Sequence, residues 1–248
     1  MAITDSEVIS LCNESLGAIG ASSIVSGGTS KNHVYCETFY ANCRDEILAC
    51  HKWNFAKKRA YAIQTTNPLF GPDNAFTVPT DSIRVWKIDD DADAEFEVEN
   101  GLIITDHGDS PSDWATATAY IVGQPVTQSD VTYVCATAHT SDDFDTDNGA
   151  GYWTSQSGDY KVLPVEYVYQ HTTIANWPKY VRQCLKLRLI LDLAPAIKQN
   201  EEAAVNFQAM LYGSRKTLGM LSQAKSFDAQ ESGGGQFSTN TFIDSRTQ

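Results

Sequence analysis

The sequence predicts an α+β fold: a helical layer of about four helices built from both chain ends, a small antiparallel β-sheet, and an inserted all-β module. Three observations carry this. Apolar residues recur at helical spacing near both ends of the 248-residue chain. Runs of period two, separated by Gly, Pro and Asn-Gly, fill the middle. Between residues 110 and 160 the composition shifts to Thr, Ser, Asp, Ala and Tyr, with no Lys or Arg at all. The expected organisation is a body of residues 1–109 and 161–225, a module of residues 110–160, and a flexible tail of residues 226–248. At about 150 residues per domain the length fits one or two domains.

The first helix is announced by a capping box, Thr4-Asp5-Ser6-Glu7, with Thr4 as N-cap. Val8, Leu11, Cys12, Leu16 and Ile19 follow on one face, and Gly17 and Gly20 offer a stop. A second helix is expected from about Ser30 to Lys52, with Cys36, Phe39, Tyr40, Cys43, Ile47 and Cys50 as its apolar stripe. Pro68, Gly71, Pro72 and Pro79 then break the chain. Ile83–Ile88 alternates as a strand. Glu95–Glu99 and Leu102–Ile104 flank Asn100-Gly101, a strong hairpin signal. In the module, Tyr120–Val122 and Val131–Cys135 read as strands. Val165–His171 reads as another. Pro178 opens a helix apolar on much of its circumference, which Pro195 should kink or end. A last helix is expected over Glu201–Ser222.

The formal net charge is −13, from 18 Lys+Arg against 31 Asp+Glu. It is unevenly spread: the 16 acids between Asp89 and Asp159 face no base, while the rest of the chain is slightly basic. A whole-chain charge of this sign argues against wrapping nucleic acid or docking on an anionic membrane. The local balance of the body leaves a DNA path open. No apolar run approaches the ~20 residues that span a bilayer. The first residues hold no basic stretch followed by an apolar one, so folding in a cytosol is expected.

No catalytic constellation is visible. GxSxG, HExxH and GxGxxG are absent, and Gly27-Gly28-Thr29-Ser30-Lys31 lacks the spacing of a phosphate loop. The five histidines and six cysteines show no metal spacing and there is no CxxC. Cys36, Cys43 and Cys50, seven residues apart, would stand ~10.5 Å from one another on a helix, too far for a disulfide. They read as small packing residues. No cofactor, no metal and no enzymatic activity are expected. Glu95, Glu97 and Glu99 share a strand face at about 6.6 Å spacing. They form either a solvated face or a wall that repels an anion, such as DNA in a channel. Phe237, Phe242 and Ile243 stand out as large apolar residues in the polar, Gly-rich end of the tail, and could anchor it to a partner.

The order of elements resembles the head-to-tail adaptor (tail tubular protein A) family of short-tailed phages. The resemblance rests on SEVISLCNESLGAIGASSI, on Arg44, Asp45, Leu48, Trp53, Asn54, Phe55 and Ala56 in RDEILACHKWNFA, on the strand SIRVWKI, on the hairpin EFEVENGLIITD, and on LPVEYVYQHTTIANWPKYVRQCLKLRLILDLAPAI. It covers roughly residues 1–109 and 161–225. It implies a non-enzymatic virion protein, assembled in the host cytoplasm as a dodecameric ring. That ring would join the portal protein to the tail nozzle protein and enclose the DNA channel without reading DNA sequence. It also implies that the C-terminal tail, with Phe237, Phe242 and Ile243, reaches the portal.

The module is similar to small chitin-binding-type carbohydrate-binding modules through Trp114, Tyr120, Gly123, Val126, Tyr133, Ala136 and Trp153. The likeness implies that Trp114, Tyr120, Tyr133 and Trp153 stack on sugar rings. The same aromatics could instead fill the core of a fifty-residue module. A glycan-binding surface protein is therefore the alternative reading, and a glycan hydrolase with an attached module a weaker third.

Overall fold

The structure, a computed structural model, describes residues 3–91, 93–156, 158–198 and 201–231. In chain order it forms α1 (Ser6–Ala18), α2 (Lys31–Ala49), β1 (Lys57–Ile63), β2 (Asn74–Thr77), β3 (Ser82–Ile88), β4 (Glu97–Glu99), β5 (Leu102–Thr105), β6 (Ala119–Tyr120) and β7 (Pro125–Gln128). There follow β8 (Val131–Cys135), β9 (His139–Thr140), α3 (Phe144–Gly149), β10 (Trp153–Ser155), β11 (Val162–Tyr169), α4 (Lys179–Lys198), α5 (Glu201–Tyr212) and α6 (Met220–Glu231). The fold is α+β. Two compact units emerge: residues 1–56 with 170–248, and residues 57–169. The second unit groups the sheets of the body with the 110–160 module.

The first unit is helical and drawn from both chain ends. Asp5, not Thr4, caps α1. Its carboxylate accepts from the N–H groups of Glu7 at 2.8 Å and Val8 at 3.4 Å, and its charge suits a helix N-terminus better than a hydroxyl would. Gly20, at φ +65°, closes the helix: its N–H meets Gly17 O while Ala21 N–H meets Leu16 O, a glycine stop of the Schellman kind. Ser30 caps α2 by accepting from His33 N–H at 3.2 Å. The buried residues of α2 are His33, Cys36, Tyr40, Cys43, Arg44, Ile47 and Leu48.

Helix α4 is the centre of this unit and packs against α1, α2, α5 and α6. Val181, Cys184, Leu185, Leu187, Leu189, Ile190, Leu193 and Ala194 are all buried. The charges that interrupt this apolar run serve as ties. Arg182 pairs with Glu7 (3.0 Å) and Lys186 with Glu14 (3.3 Å) on α1, while Arg188 joins Glu46 on α2 and Asp192 one turn on (2.7 Å). Contrary to the sequence expectation, α4 runs through Pro195. The proline sits in the last turn on an exposed surface, where only one helical hydrogen bond is forfeited.

The expected helix Glu201–Ser222 is instead two. Between them Gly213, at φ +94°, and Gly219 close so tightly that a Cβ on Gly219 would lie 2.3 Å from Gly213 N. Helix α6 then continues to Glu231, so residues 226–231, expected as the start of the tail, are helical.

The second unit is built from antiparallel sheets. One has the order β1-β11-β3 and another β2-β5-β4. Their facing residues Ala62, Leu163, Val165, Tyr167, Val85, Ile88, Phe76 and Ile103 make one core. Strand β11 is central, which explains its nearly continuous burial. The hairpin β4–β5 turns at Asn100 (φ +49°) and Gly101 (φ +79°), as Asn-Gly requires. The module leaves after β5 and returns into β11. At its root Asp109 and Val162 exchange backbone hydrogen bonds of 3.1 and 2.8 Å. Inside it stand a sheet β10-β8-β7 and a short pair β6-β9.

Gly108 precedes this root at φ +121°, and a Cβ there would stand 2.3 Å from Cζ of the fully buried Phe76. Gly108→Ala is expected to cost about 2–4 kcal/mol, from left-handed strain plus overpacking. A urea midpoint equal to that of the parent protein would refute this.

The units also divide the charge. Residues 57–169 carry six bases against nineteen acids, so the whole net charge of −13 sits on them. The helical unit has twelve of each and is neutral.

Candidate functional site

The run RDEILACHKWNFA forms a corner that ties three parts of the helical unit. Trp53 is fully buried and its Nε1–H donates to Ile47 O at the end of α2 (2.7 Å). His51 lies edge-on to Trp53 with ring centres 4.7 Å apart, and its Nε2 meets Asp228 Oδ2 at 3.1 Å. Asn54 N–H donates to Asp228 Oδ1 at 2.9 Å, and Asn54 Nδ2 donates to the Asp228 carbonyl at 2.7 Å. Phe55 packs on Trp177 and His171 with ring centres at 5.2 and 5.8 Å. Arg44, only 8% exposed, donates through Nε to Asp45 Oδ1 at 2.7 Å, and Gln170 donates to the other oxygen of Asp45 at 2.9 Å. Leu48 and Ala56 are fully buried. Arg44, Asp45, His51, Trp53 and Asn54 are each tied to a neighbour, so the corner acts as a brace. Its partner on α6 is Asp228, 2% exposed, in a segment whose polar sequence reads as tail.

The four aromatics expected to stack on sugars are not equivalent. Tyr120 (4% exposed) and Trp153 (5%) are buried, with ring centres 5.0 Å apart, and form the module's core with Val126, Cys135 and Phe144. Tyr120 is pinned by its hydroxyl, which accepts from Ala115 N–H at 2.8 Å. They are therefore withdrawn from any stacking surface: a module this small needs its largest side chains inside. Trp114 and Tyr133 are half-buried, each in a T-shaped contact with Phe144, with ring centres 5.7 and 4.9 Å apart. Trp153→Ala is thus expected to unfold the module, by about 3–5 kcal/mol, rather than to spare its fold. The check is the amide spectrum of residues 110–160, and native dispersion retained there would overturn it.

The predicted acidic line is shorter than expected. Glu97 and Glu99 alternate with Val98 on the edge strand β4, and all three are exposed. Glu95 is exposed but precedes the strand, while Ala94 and Phe96 on either side of it pack onto the core. Phe237, Phe242 and Ile243 lie outside the described residues.

The six cysteines are free. The Cys12 thiol is held high by its hydrogen bond with Cys36 and by burial, burial raises Cys43, and burial pushes Cys184 up to about 12. Cys36, lowered by that same bond, is fully buried. Such thiols are poor nucleophiles. Among the described residues no group of three or more His, Cys, Asp or Glu is placed to hold a metal ion. No helix among them is long and apolar enough to cross a membrane.

Sequence reasoning passed over one surface. The loop between β1 and β2 (Pro68-Leu69-Phe70-Gly71-Pro72) holds Leu69 at 99% and Phe70 at 89% exposure. Two large apolar residues between prolines were the available signal. No protein-family model matches the chain, and no curated protein matches it.

Proposed function

We propose that the chain is a structural subunit of the head-to-tail adaptor ring of a short-tailed phage, a dodecamer seated between portal and tail nozzle around the DNA channel. The order of elements that resembles that family supports this reading, and the exposed Leu69–Phe70 pair is the structural observation that carries it. Apolar side chains held this far into water are costly unless a protein surface covers them. In a closed ring each subunit presents two different faces, and a projecting apolar loop is the knob of such a heterologous contact.

The strongly negative second unit, with Glu97 and Glu99 on an exposed edge, suits a channel through which DNA must slide without sticking. Contact there releases no counterions. The C-terminal residues, Phe237, Phe242 and Ile243 among them, are the proposed portal-docking tail.

The test is the mass of the purified chain with and without portal rings, read by mass photometry and electron microscopy. Ring-shaped particles or portal-bound copies are expected. A chain that stays monomeric with portal rings at every salt concentration would dismiss the adaptor reading.

A further inference from the structure

Where the module joins the body, a cleft of about 320 Å³ opens between the end of β1 and the segment that links β10 to β11. Its walls are Ile63, Gln64, Thr65 and Thr66 on one side and Gln156 and Tyr160 on the other. The volume is within the range of small-ligand sites. None of the six is an acid, a lysine, an arginine or a histidine, although the unit around them carries the whole net charge of −13.

The hydrogen-bonding capacity of these walls is largely unspent. The side chains of Thr65, Thr66, Gln156 and Tyr160 make no hydrogen bond to another described residue. Gln64 is the opposite. Its Oε1 accepts from Lys161 N–H (3.0 Å) and its Nε2 donates to Asn67 Oδ1 (3.0 Å) and Asn74 Oδ1 (3.1 Å). That leaves one free lone pair on a fixed amide. Tyr160 is fixed as well: its backbone N–H donates to Thr132 Oγ1 (2.9 Å), Thr132 Oγ1 donates to its carbonyl (3.0 Å), and Gly158 lies so close that a Cβ would be 3.0 Å from the ring. The cleft therefore offers a rigid amide, an aromatic ring on a fixed backbone, and free hydroxyl and amide groups.

We propose that this cleft binds a neutral saccharide. A sugar presents a hydroxyl on nearly every carbon, each donor and acceptor at once, which matches hydroxyl and amide walls. Its C–H face suits the face of Tyr160. An anionic ligand would meet the field of the acidic unit, and the neighbouring cation, Lys161, is not in the lining and has its Nζ on Asn74 Oδ1 (3.3 Å). A peptide would need an apolar socket for its side chains, and Ile63 alone provides little. This site lies apart from the buried Tyr120 and Trp153, and it stands or falls independently of the adaptor reading.

The experiment is an amide NMR titration of the full chain with chitotetraose, cellotetraose and maltotetraose. Tetragalacturonate serves as the anionic control and a Gly-Ser tetrapeptide as the peptide control. At least one neutral sugar is expected to shift Thr65, Thr66 and Gln156, with affinity about tenfold weaker in Gln156→Ala and in Tyr160→Ala. Thr66→Val, at an exposed position, keeps the test valid if Tyr160→Ala loosens the module root. The proposal is overturned if no neutral sugar shifts these residues, if the shifts fall at Trp114 and Tyr133 instead, or if either control binds as well.

Discussion

Trp53→Ala is expected to destabilise the helical unit by about 3–5 kcal/mol, the range for emptying a fully buried indole site. The site cannot easily collapse, since Leu48 and Ala56 on either side are themselves fully buried and anchored. The loss has a second part. Ile47 O accepts from both Trp53 Nε1–H and Cys50 Sγ–H, at 2.7 and 3.1 Å, and belongs to the last turn of α2, where carbonyls lack helical partners. Trp53→Phe keeps most of the ring but removes that donor, and should cost about 1–2 kcal/mol. For a chain of this size the alanine variant lowers Tm by roughly 6–20 °C.

A local readout separates this from general loosening. Asn54, the next residue, holds Asp228 with two hydrogen bonds. Limited proteolysis within α6 should therefore accelerate in Trp53→Ala before cleavage in β11 does. Equal protection of α6 in parent and variant would show that the corner does not hold that helix.

The elements legible in the sequence are those whose period is set by burial. Helices α1, α2 and α4 stand close to where the apolar spacing puts them, because each buries one face or, for α4, nearly all of its surface. Strands β3, β5, β8 and β11 were readable for the same reason. Strand β1 was not: K-K-R-A-Y-A-I shows charge rather than alternation, since Lys58 spends itself on Asp81 at 2.6 Å and on the Tyr169 ring at 4.2 Å. Helix α3 hides in F-D-T-D-N-G, six residues whose signal is a cap, Asp143 accepting from Thr146 N–H at 3.0 Å. Asp228 is the clearest limit. Its contact with Asn54 spans 174 residues, and no local pattern announces a contact at that separation. The module aromatics were ambiguous by nature, because stacking on a sugar and filling a small core call for the same residues.

Leu69→Ser with Phe70→Ser is expected to leave the isolated chain folded while abolishing its assembly. Both side chains are exposed almost completely in the single chain, so their loss changes its stability by no more than about 0.5 kcal/mol. In the proposed ring each would be buried against the neighbouring copy, at about 1.5–3 kcal/mol per side chain. The pair thus supplies roughly 3–6 kcal/mol per contact, equivalent to about 10²–10⁴ in the association constant. Because every interface of a closed ring is the same interface, the deficit repeats at each seam and ring formation collapses rather than weakens. The measurement is mass photometry of parent and double variant, each with portal rings, beside their thermal midpoints. Matching midpoints with lost assembly assign the loop to the seam. Assembly equal to the parent's would place the seam elsewhere on the subunit and leave the projecting loop to contact the tail nozzle instead.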